Sequence, residues 1–279
     1  MNNRIDVPLC LPIENITDEG TQTKTLDFSL PQELNLNPIP GQYFMLWNPG
    51  DDEIPVSVSK FNNKYQISFT ICSEGQTSFN LINKNKFDLI GLRGPFGKGF
   101  DLIEKGTAIL IAGGMGIAPL RYLIHTLLKQ KNLKIIIIQG ATSEKKLFYK
   151  TEIANCPVKS YFCTDDGSFG FKGFPTEILD KVIKNLSDTD TFEIYSCGPE
   201  TMLKSVLNLT MKCSIEANTQ FCLADRYIRC GFGICASCTL DGLGLTVCHD
   251  GPVFRGNILK NVKDFGSFGR KANGSKYHI

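Results

Sequence analysis

Four cysteines near the C-terminal end constrain this chain more than any other feature: Cys230, Cys235, Cys238 and Cys248. They follow C-x4-C-x2-C, with a fourth cysteine after nine further residues. Clusters of the [2Fe–2S] type are held by cysteines with this opening spacing. Three thiolates must then reach one small centre from a single loop. Gly231 and Gly233 suit that need, because they tolerate positive φ and let backbone N–H groups turn toward sulfur. The fourth ligand can come from elsewhere, and Cys248 ends a predicted hairpin strand over 245–248. On this reading the chain moves electrons one at a time.

Structural zinc is the alternative use of such a set. Zinc sites usually show C-x2-C pairs on two separate knuckles, and here only Cys235 and Cys238 form such a pair. A disulfide framework fits less well, because the chain is long enough to build its own core and the four cysteines crowd one end. The other seven cysteines are scattered and read as small buried apolar residues.

At 279 residues, two or three domains are expected. Hydrophobic content of 42% and charged content of 21% are those of a soluble globular protein. A formal net charge of +2 gives no strong pull toward nucleic acid or a membrane surface. No stretch reaches the roughly 18 apolar residues of a membrane span, and the N-terminal segment lacks the shape of a signal peptide. Eleven cysteines without an export signal place the chain in a reducing cytoplasm.

Composition changes twice along the chain. Residues 1–102 hold short strand-like runs at 26–30, 42–47, 56–59, 65–71 and 88–92, punctuated by Pro and Gly. They predict a small antiparallel β-barrel or sandwich. Residues 103–213 alternate apolar strands (108–112, 134–138, 158–162, 192–196) with helical patterns (119–129, 175–186, 199–208). That alternation predicts an α/β domain with a parallel sheet. Residues 214–279 hold the cysteine loop, with little regular structure beyond possible hairpins, and end in a polar arm after about residue 265. A bound metal cluster would compensate for so small a core.

Two turns mark a nucleotide site. Gly113, Gly114, Met115, Gly116, Ile117, Ala118 and Pro119 join an apolar strand to a helix start. Glycines allow close approach of a pyrophosphate, the helix N-terminus offers free N–H donors, and Pro119 suits the first turn. The pattern is not G-x-G-x-x-G, and a glycine turn that only packs a helix on a sheet remains open. Cys197, Gly198, Pro199 and Glu200 form a second strand-to-helix turn on the same edge, where open α/β sheets bind ligands. Cys197 is expected to point into that crevice; otherwise it is a buried structural cysteine. Turns at 140–142 and 164–168 end two further strands there.

Together these motifs resemble the ferredoxin–NADP reductase superfamily. More narrowly, they resemble its branch of electron-transfer subunits of NAD-linked dihydroorotate dehydrogenases. The resemblance runs from about residue 40 to 265. It is carried by Ile54-Pro55-Val56-Ser57, Arg93-Gly94-Pro95-Phe96-Gly97, the glycine turn at 112–119, Thr164-Asp165-Asp166-Gly167-Ser168, Cys197-Gly198-Pro199-Glu200, the cysteine loop and Asp250-Gly251-Pro252-Val253-Phe254. It implies an FAD-binding barrel, an NAD-binding domain and a C-terminal [2Fe–2S] domain. By resemblance, Pro55, Val56 and Ser57 run past the flavin ring, and Gly75, Thr77 and Ser78 lie near the FAD pyrophosphate. Gly113, Gly114 and Gly116 face NAD, and Cys197 sits near the nicotinamide. Ile54 stands where many relatives have an arginine for the flavin phosphate. Thr142 also stands where relatives often have arginine, which favours NAD over NADP.

The implied chemistry is hydride transfer from NADH to FAD, then single electrons to the cluster. No acid or base is needed, so His125, His249 and His278 have no catalytic role, and His249 is expected to face solvent. The implied partner is an FMN-containing dihydroorotate dehydrogenase catalytic subunit in a heterotetramer, serving pyrimidine biosynthesis. Two other readings stay open: the reductase subunit of another redox complex, and a zinc-stabilised nucleotide sensor.

Overall fold

The computed structural model describes residues 5–62, 65–187, 191–271 and 274–279. The N-terminal part forms β1 (Ile5–Pro12), β2 (Asn15–Gly20), β3 (Thr23–Ser29), β4 (Tyr43–Trp47), β5 (Ile54–Phe61), β6 (Gln66–Cys72), helix α1 (Gln76–Ile82) and β7 (Leu89–Phe96). These strands make one seven-stranded sheet in the order β1-β7-β4-β5-β6-β3-β2, with every pairing antiparallel. Phe28, Phe44, Leu46, Val58, Ile67, Phe69, Ile90 and Leu92, drawn from five strands, fill a single core, so the sheet curls around it. Phe69 meets Phe28 and Phe44 edge to face at 6.0 and 5.4 Å.

β1, β2 and α1 were not legible as elements. β1 and β2 are sheet edges with mostly exposed or half-exposed residues, so they lack the alternation of a half-buried strand. Tyr65, expected to begin a strand, has a positive φ of 58° and precedes it.

The second unit runs β8 (Gly106–Gly113), α2 (Ile117–Leu127), β9 (Leu133–Ala141), α3 (Lys150–Ala154), β10 (Lys159–Thr164), β11 (Phe171–Lys172), α4 (Pro175–Lys184), β12 (Phe192–Cys197), α5 (Glu200–Lys212), β13 (Thr219–Cys222), α6 (Val247–Asp250), β14 (Val253–Arg255) and α7 (Gly256–Leu259). Its sheet order is β11-β10-β9-β8-β12-β13-β14, parallel except for β14. Strand alternation divides the apolar residues between two faces. Leu110, Ala112, Ile135 and Ile137 pack with Leu120, Leu123 and Leu127 of α2. Ile109, Ile111, Ile136 and Ile138 pack with Leu179 and Val182 of α4 and Leu203 and Leu207 of α5. Each of the Leu, Ile and Val side chains among them contributes about 1.5–3 kcal/mol by leaving water.

A boundary at 213 does not coincide with an edge of this sheet. β13 and β14 continue it, and the cysteine loop leaves and returns through them, with Cys222 opposite both Cys197 and Val253. These strands are too short and polar to show a period. The expected strand over 245–248 is also corrected: Val247–Asp250 is a helical turn. Beyond residue 265 the chain does not trail away. β15 (Phe268–Arg270) pairs with β16 (Lys276–His278), and Arg270 and Lys276 both hold Asp241 of the cysteine segment. Residues 272–273 of the expected arm lie outside the described residues. Among the described residues, no helix is long and apolar enough to cross a membrane.

Candidate functional site

The cysteine loop brings its four thiols together as two pairs. Cys230 hydrogen-bonds Cys235 through their thiols, and Cys238 does the same with Cys248. Gly231 and Gly233 adopt φ of +76° and +77°. This turns backbone donors inward: Phe232 N–H points to Cys230 Sγ at 3.4 Å and Gly233 N–H to Cys248 Sγ at 3.2 Å. Burial opposes ionisation of Cys230, but the N–H groups of Cys235, Phe232 and Ile234 outweigh it and bring its thiol down to about 6. The Cys248 hydrogen bond is the main cause that brings Cys238 down to about 7, while Cys248 itself is pushed up. Four cysteine sulfurs, two of them favoured as thiolates, and inward N–H groups form a donor set for a sulfur-ligated cluster. No group of three or more His, Cys, Asp or Glu side chains among the described residues gathers around a single-ion site.

The nucleotide cleft has a volume of about 600 Å³ and opens where β8, β9 and β12 end. Its walls include Gly113, Gly114, Gly116, Thr142, Asp165 and Pro199 from the α/β unit, and Thr21, Cys72 and Glu74 from the barrel. The glycines divide their work. Gly114 has φ +51°, and a Cβ there would meet nothing within 4 Å, so its backbone faces open space. A Cβ on Gly116 would collide with the Cys197 carbonyl, and one on Gly198 would lie 2.9 Å from Gly113 N. Those two pack one turn against the other. Ile117, Ala118 and Pro119 are buried and begin α2, whose N-terminus faces the cleft.

Cys197 does not line the cleft. Its side chain is buried and hydrogen-bonded to Cys222, which, with burial, pushes its thiol up. The expectation that it points into the crevice is therefore corrected: β13 continues the sheet beside β12 and takes up the thiol. Asp225, missed in the sequence, does open onto the cleft. Desolvation, then Glu74 and Glu200, push its carboxyl up to about 6.

On the barrel, Pro55 and Ser57 are half-buried on β5 and Val56 is buried. Gly75 caps α1, with Thr77 half-buried in its first turn. The Ser78 hydroxyl is already committed: it accepts from Glu74 and Gly75 N–H and donates to Gly75 O, all at 2.9 Å. Ser78 thus shapes the turn, leaving Thr77 as the free hydroxyl. Ser57 pairs across the sheet with Tyr43 of β4, whose hydroxyl donates to the Cys248 carbonyl at 3.0 Å. Burial and the neighbouring cysteines push that phenol up. The strand assigned to the flavin is therefore one residue pair away from the cysteine loop.

Comparison with known proteins agrees with this layout. Residues 110–208 match the oxidoreductase NAD-binding domain, and residues 225–260 match the iron-sulfur cluster binding domain of dihydroorotate dehydrogenase B. The probable dihydroorotate dehydrogenase B (NAD(+)) electron transfer subunit of Methanocaldococcus jannaschii is 36% identical over 276 residues, covering 98% of this chain and all 100% of that protein. The chain belongs to this electron transfer subunit family. The Archaeoglobus fulgidus member is 38% identical over 248 residues, 88% of this chain and 96% of its own. Solved structures share the fold. A chain from the NADH-dependent reduced ferredoxin-NADP oxidoreductase superposes with a TM-score of 0.77 at 24% identity, covering 91% of this chain and 93% of that one. Phthalate dioxygenase reductase gives 0.61 at 16% identity, covering 77% and 67%.

An electron transfer subunit works with a catalytic partner, so it needs an exit as well as an entry. In the cysteine loop, Cys235 is exposed and Ile234 is 81% exposed. His249 faces solvent as expected, with its side chain 66% exposed. Tyr43 and Arg93, which tie the loop to the barrel, were missed as site residues. Arg93 lies in an Arg-Gly-Pro-Phe-Gly segment that stood out in the sequence, but nothing local in that segment says what its side chain meets.

Proposed function

We propose that this chain carries electrons from NADH through FAD and a [2Fe–2S] cluster to an FMN-containing dihydroorotate dehydrogenase catalytic subunit, in a heterotetramer serving pyrimidine biosynthesis. The observation that carries the reading is spatial. The cysteine loop is anchored to the strands beside Pro55–Ser57 on one side and exposes Ile234 and Cys235 on the other. When bound, the flavin accepts a hydride and the cluster accepts single electrons.

This chain's residues position and insulate. Pro55, Val56 and Ser57 form the wall for the flavin ring, and Thr77 with the Gly75 turn receives its pyrophosphate. The turn at Gly114 and the N-terminus of α2 take the NAD pyrophosphate. The nicotinamide half lies toward Cys72 and Glu74, because only that wall belongs to the barrel. The other half extends toward Thr142 and Asp165, where a carboxylate suits a ribose hydroxyl and disfavours a 2′-phosphate, so NAD is preferred. Cys197, behind the cleft wall, shapes the nicotinamide end rather than touching it. Cys230, Cys235, Cys238 and Cys248 hold the cluster. Eleven unpaired cysteines fit a reducing cytoplasm.

The deciding experiment is anaerobic NADH oxidation with orotate, with and without the FMN-bearing catalytic chain from the same source. Orotate-dependent turnover only when both chains are present is the expected result. NADH bleaching of the chain without orotate turnover would move it to another redox complex. A colourless, iron-free protein that binds NAD without oxidising NADH would sink the redox reading.

A further inference from the structure

Arg93 on β7 is held from three sides. Its Nε and Nη2 donate to Glu53 Oε1 and Oε2 at 2.9 and 2.6 Å. Nη2 also donates to the carbonyl of Cys230 at 3.0 Å. The guanidinium lies 4.9 Å from the ring centre of Phe96 and 4.7 Å from that of Phe232, and Phe232 belongs to the cysteine loop itself. Its side chain is 6% exposed, while that of Glu53 is 23% exposed. Nη1 is buried and has no hydrogen-bond partner among the described residues. A permanent positive charge with an uncommitted N–H thus rests against the backbone of a cluster cysteine. Its balancing carboxylate stands toward solvent.

We propose that Arg93 and Glu53 form an opposed charge pair that sets the reduction potential of the cluster held by Cys230, Cys235, Cys238 and Cys248. The inference rests on the cluster reading of that loop. Four thiolates and two sulfides with two ferric irons would carry net negative charge, and one-electron reduction would add one more. A nearby cation in a poorly solvated site favours the more negative, reduced state, and a nearby anion disfavours it. Bidentate pairing with Glu53 holds the guanidinium in register while the carboxylate damps its field. Phe96 and Phe232 pack beside the guanidinium, whose side chain is only 6% exposed, and this limits the screening of its field.

The test is an EPR-monitored redox titration of the full-length, cluster-loaded chain with dithionite, without NADH or any partner. Arg93→Gln should move the cluster midpoint to more negative potential, because it removes the cation and leaves Glu53 uncompensated. Glu53→Gln should move it the other way. Arg93→Lys should restore most of the shift. Tyr43→Phe, which removes the hydrogen bond to Cys248 without changing charge, should shift the midpoint less than either. Shifts of the same sign in Arg93→Gln and Glu53→Gln, or none in either, would overturn the inference, since an anchor with no electrostatic role predicts no opposition of sign. If Arg93→Gln fails to hold a cluster, Glu53→Gln decides alone: a positive shift upholds the pair and any other result overturns it. A wild-type chain without a cluster signal would bring down the cluster reading itself. That outcome is distinct from a wild-type cluster whose potential ignores both substitutions.

Discussion

Cys235 is the exposed member of the four loop cysteines, so its replacement by serine costs little packing. Cys235→Ser is expected to abolish cluster EPR while NADH still reduces the flavin at a near-normal rate in anaerobic stopped-flow. Equal loss of flavin reduction in a folded variant would contradict the division of labour between cleft and loop. The two central glycines of the nucleotide turn should fail differently. In Gly116→Ala the new methyl collides with the Cys197 carbonyl, and the two turns must part, at about 1–3 kcal/mol. That loss should appear as a lower Tm. In Gly114→Ala the methyl enters open space and the backbone penalty at φ +51° is about 1–2 kcal/mol. Its main effect should be a several-fold weaker NADH affinity, because the methyl would enter the space proposed for the pyrophosphate. Titration calorimetry with NADH separates the two. The turning of the cysteine loop at Gly231 and Gly233 and the tight turn at Gly116 were legible from residue type and spacing, because positive φ and close backbone packing favour glycine. The burial of Cys197 was not, because it depends on a strand twenty-odd residues further on.

Buried charge fixes how α5 meets the cysteine segment. Arg226 bonds Glu200 of α5 through Nε and Nη2 at 2.6 and 2.5 Å, and Asp264 through Nη1 at 2.9 Å. All three side chains are almost wholly buried. Arg226→Met should cost about 3–5 kcal/mol in urea unfolding, because two carboxylates lose their cation. A second network ties α3 to α2: Glu152 accepts from Arg121 Nη2 at 2.8 Å and pairs with His125 Nε2 at 2.7 Å. Burial raises the Glu152 carboxyl, but the hydrogen bonds from His125 and Arg121 outweigh it and leave it at about 2, against an ordinary 4.5. A folded-state value below the unfolded one gives stability that is present above the ordinary value and lost as pH falls toward the folded one. Wild type should therefore lose its advantage over Glu152→Gln between pH 4.5 and 2, as read by urea titrations across that range. An advantage unchanged with pH would rule out the ion pairs as its source. The same contrast explains which elements were legible. β8 and β9 carry unbroken apolar runs that both faces of a parallel sheet require. β1, β2, β13 and β14 are held by their neighbours rather than by their own pattern.

At the scale of the whole molecule, the order barrel, nucleotide domain and cysteine segment was readable from composition and motif order. The boundary expected at 213, by contrast, falls within a shared sheet and core. The cysteine loop is an excursion from the nucleotide sheet, bounded by β13 and β14, and one continuous core joins Cys238, Leu240 and Val247 to Ile194, Leu203 and Phe221. From the other side, Tyr43 and Arg93 of the barrel bond the carbonyls of Cys248 and Cys230. Contacts between residues so far apart in sequence leave no periodic trace. They do carry a consequence for folding. A fragment of residues 214–279 would present β13 without β12, expose the apolar residues that α5 covers, and lack both barrel anchors. So small a segment cannot offset its chain entropy by burial alone. We expect that fragment, expressed alone and supplied with iron and sulfide under anaerobic conditions, to show no cooperative melt and no cluster absorption, while the full chain reconstitutes under the same conditions. A fragment that melts cooperatively and holds a cluster would mean that the loop carries its own fold, with the shared core and the barrel anchors serving only to orient it.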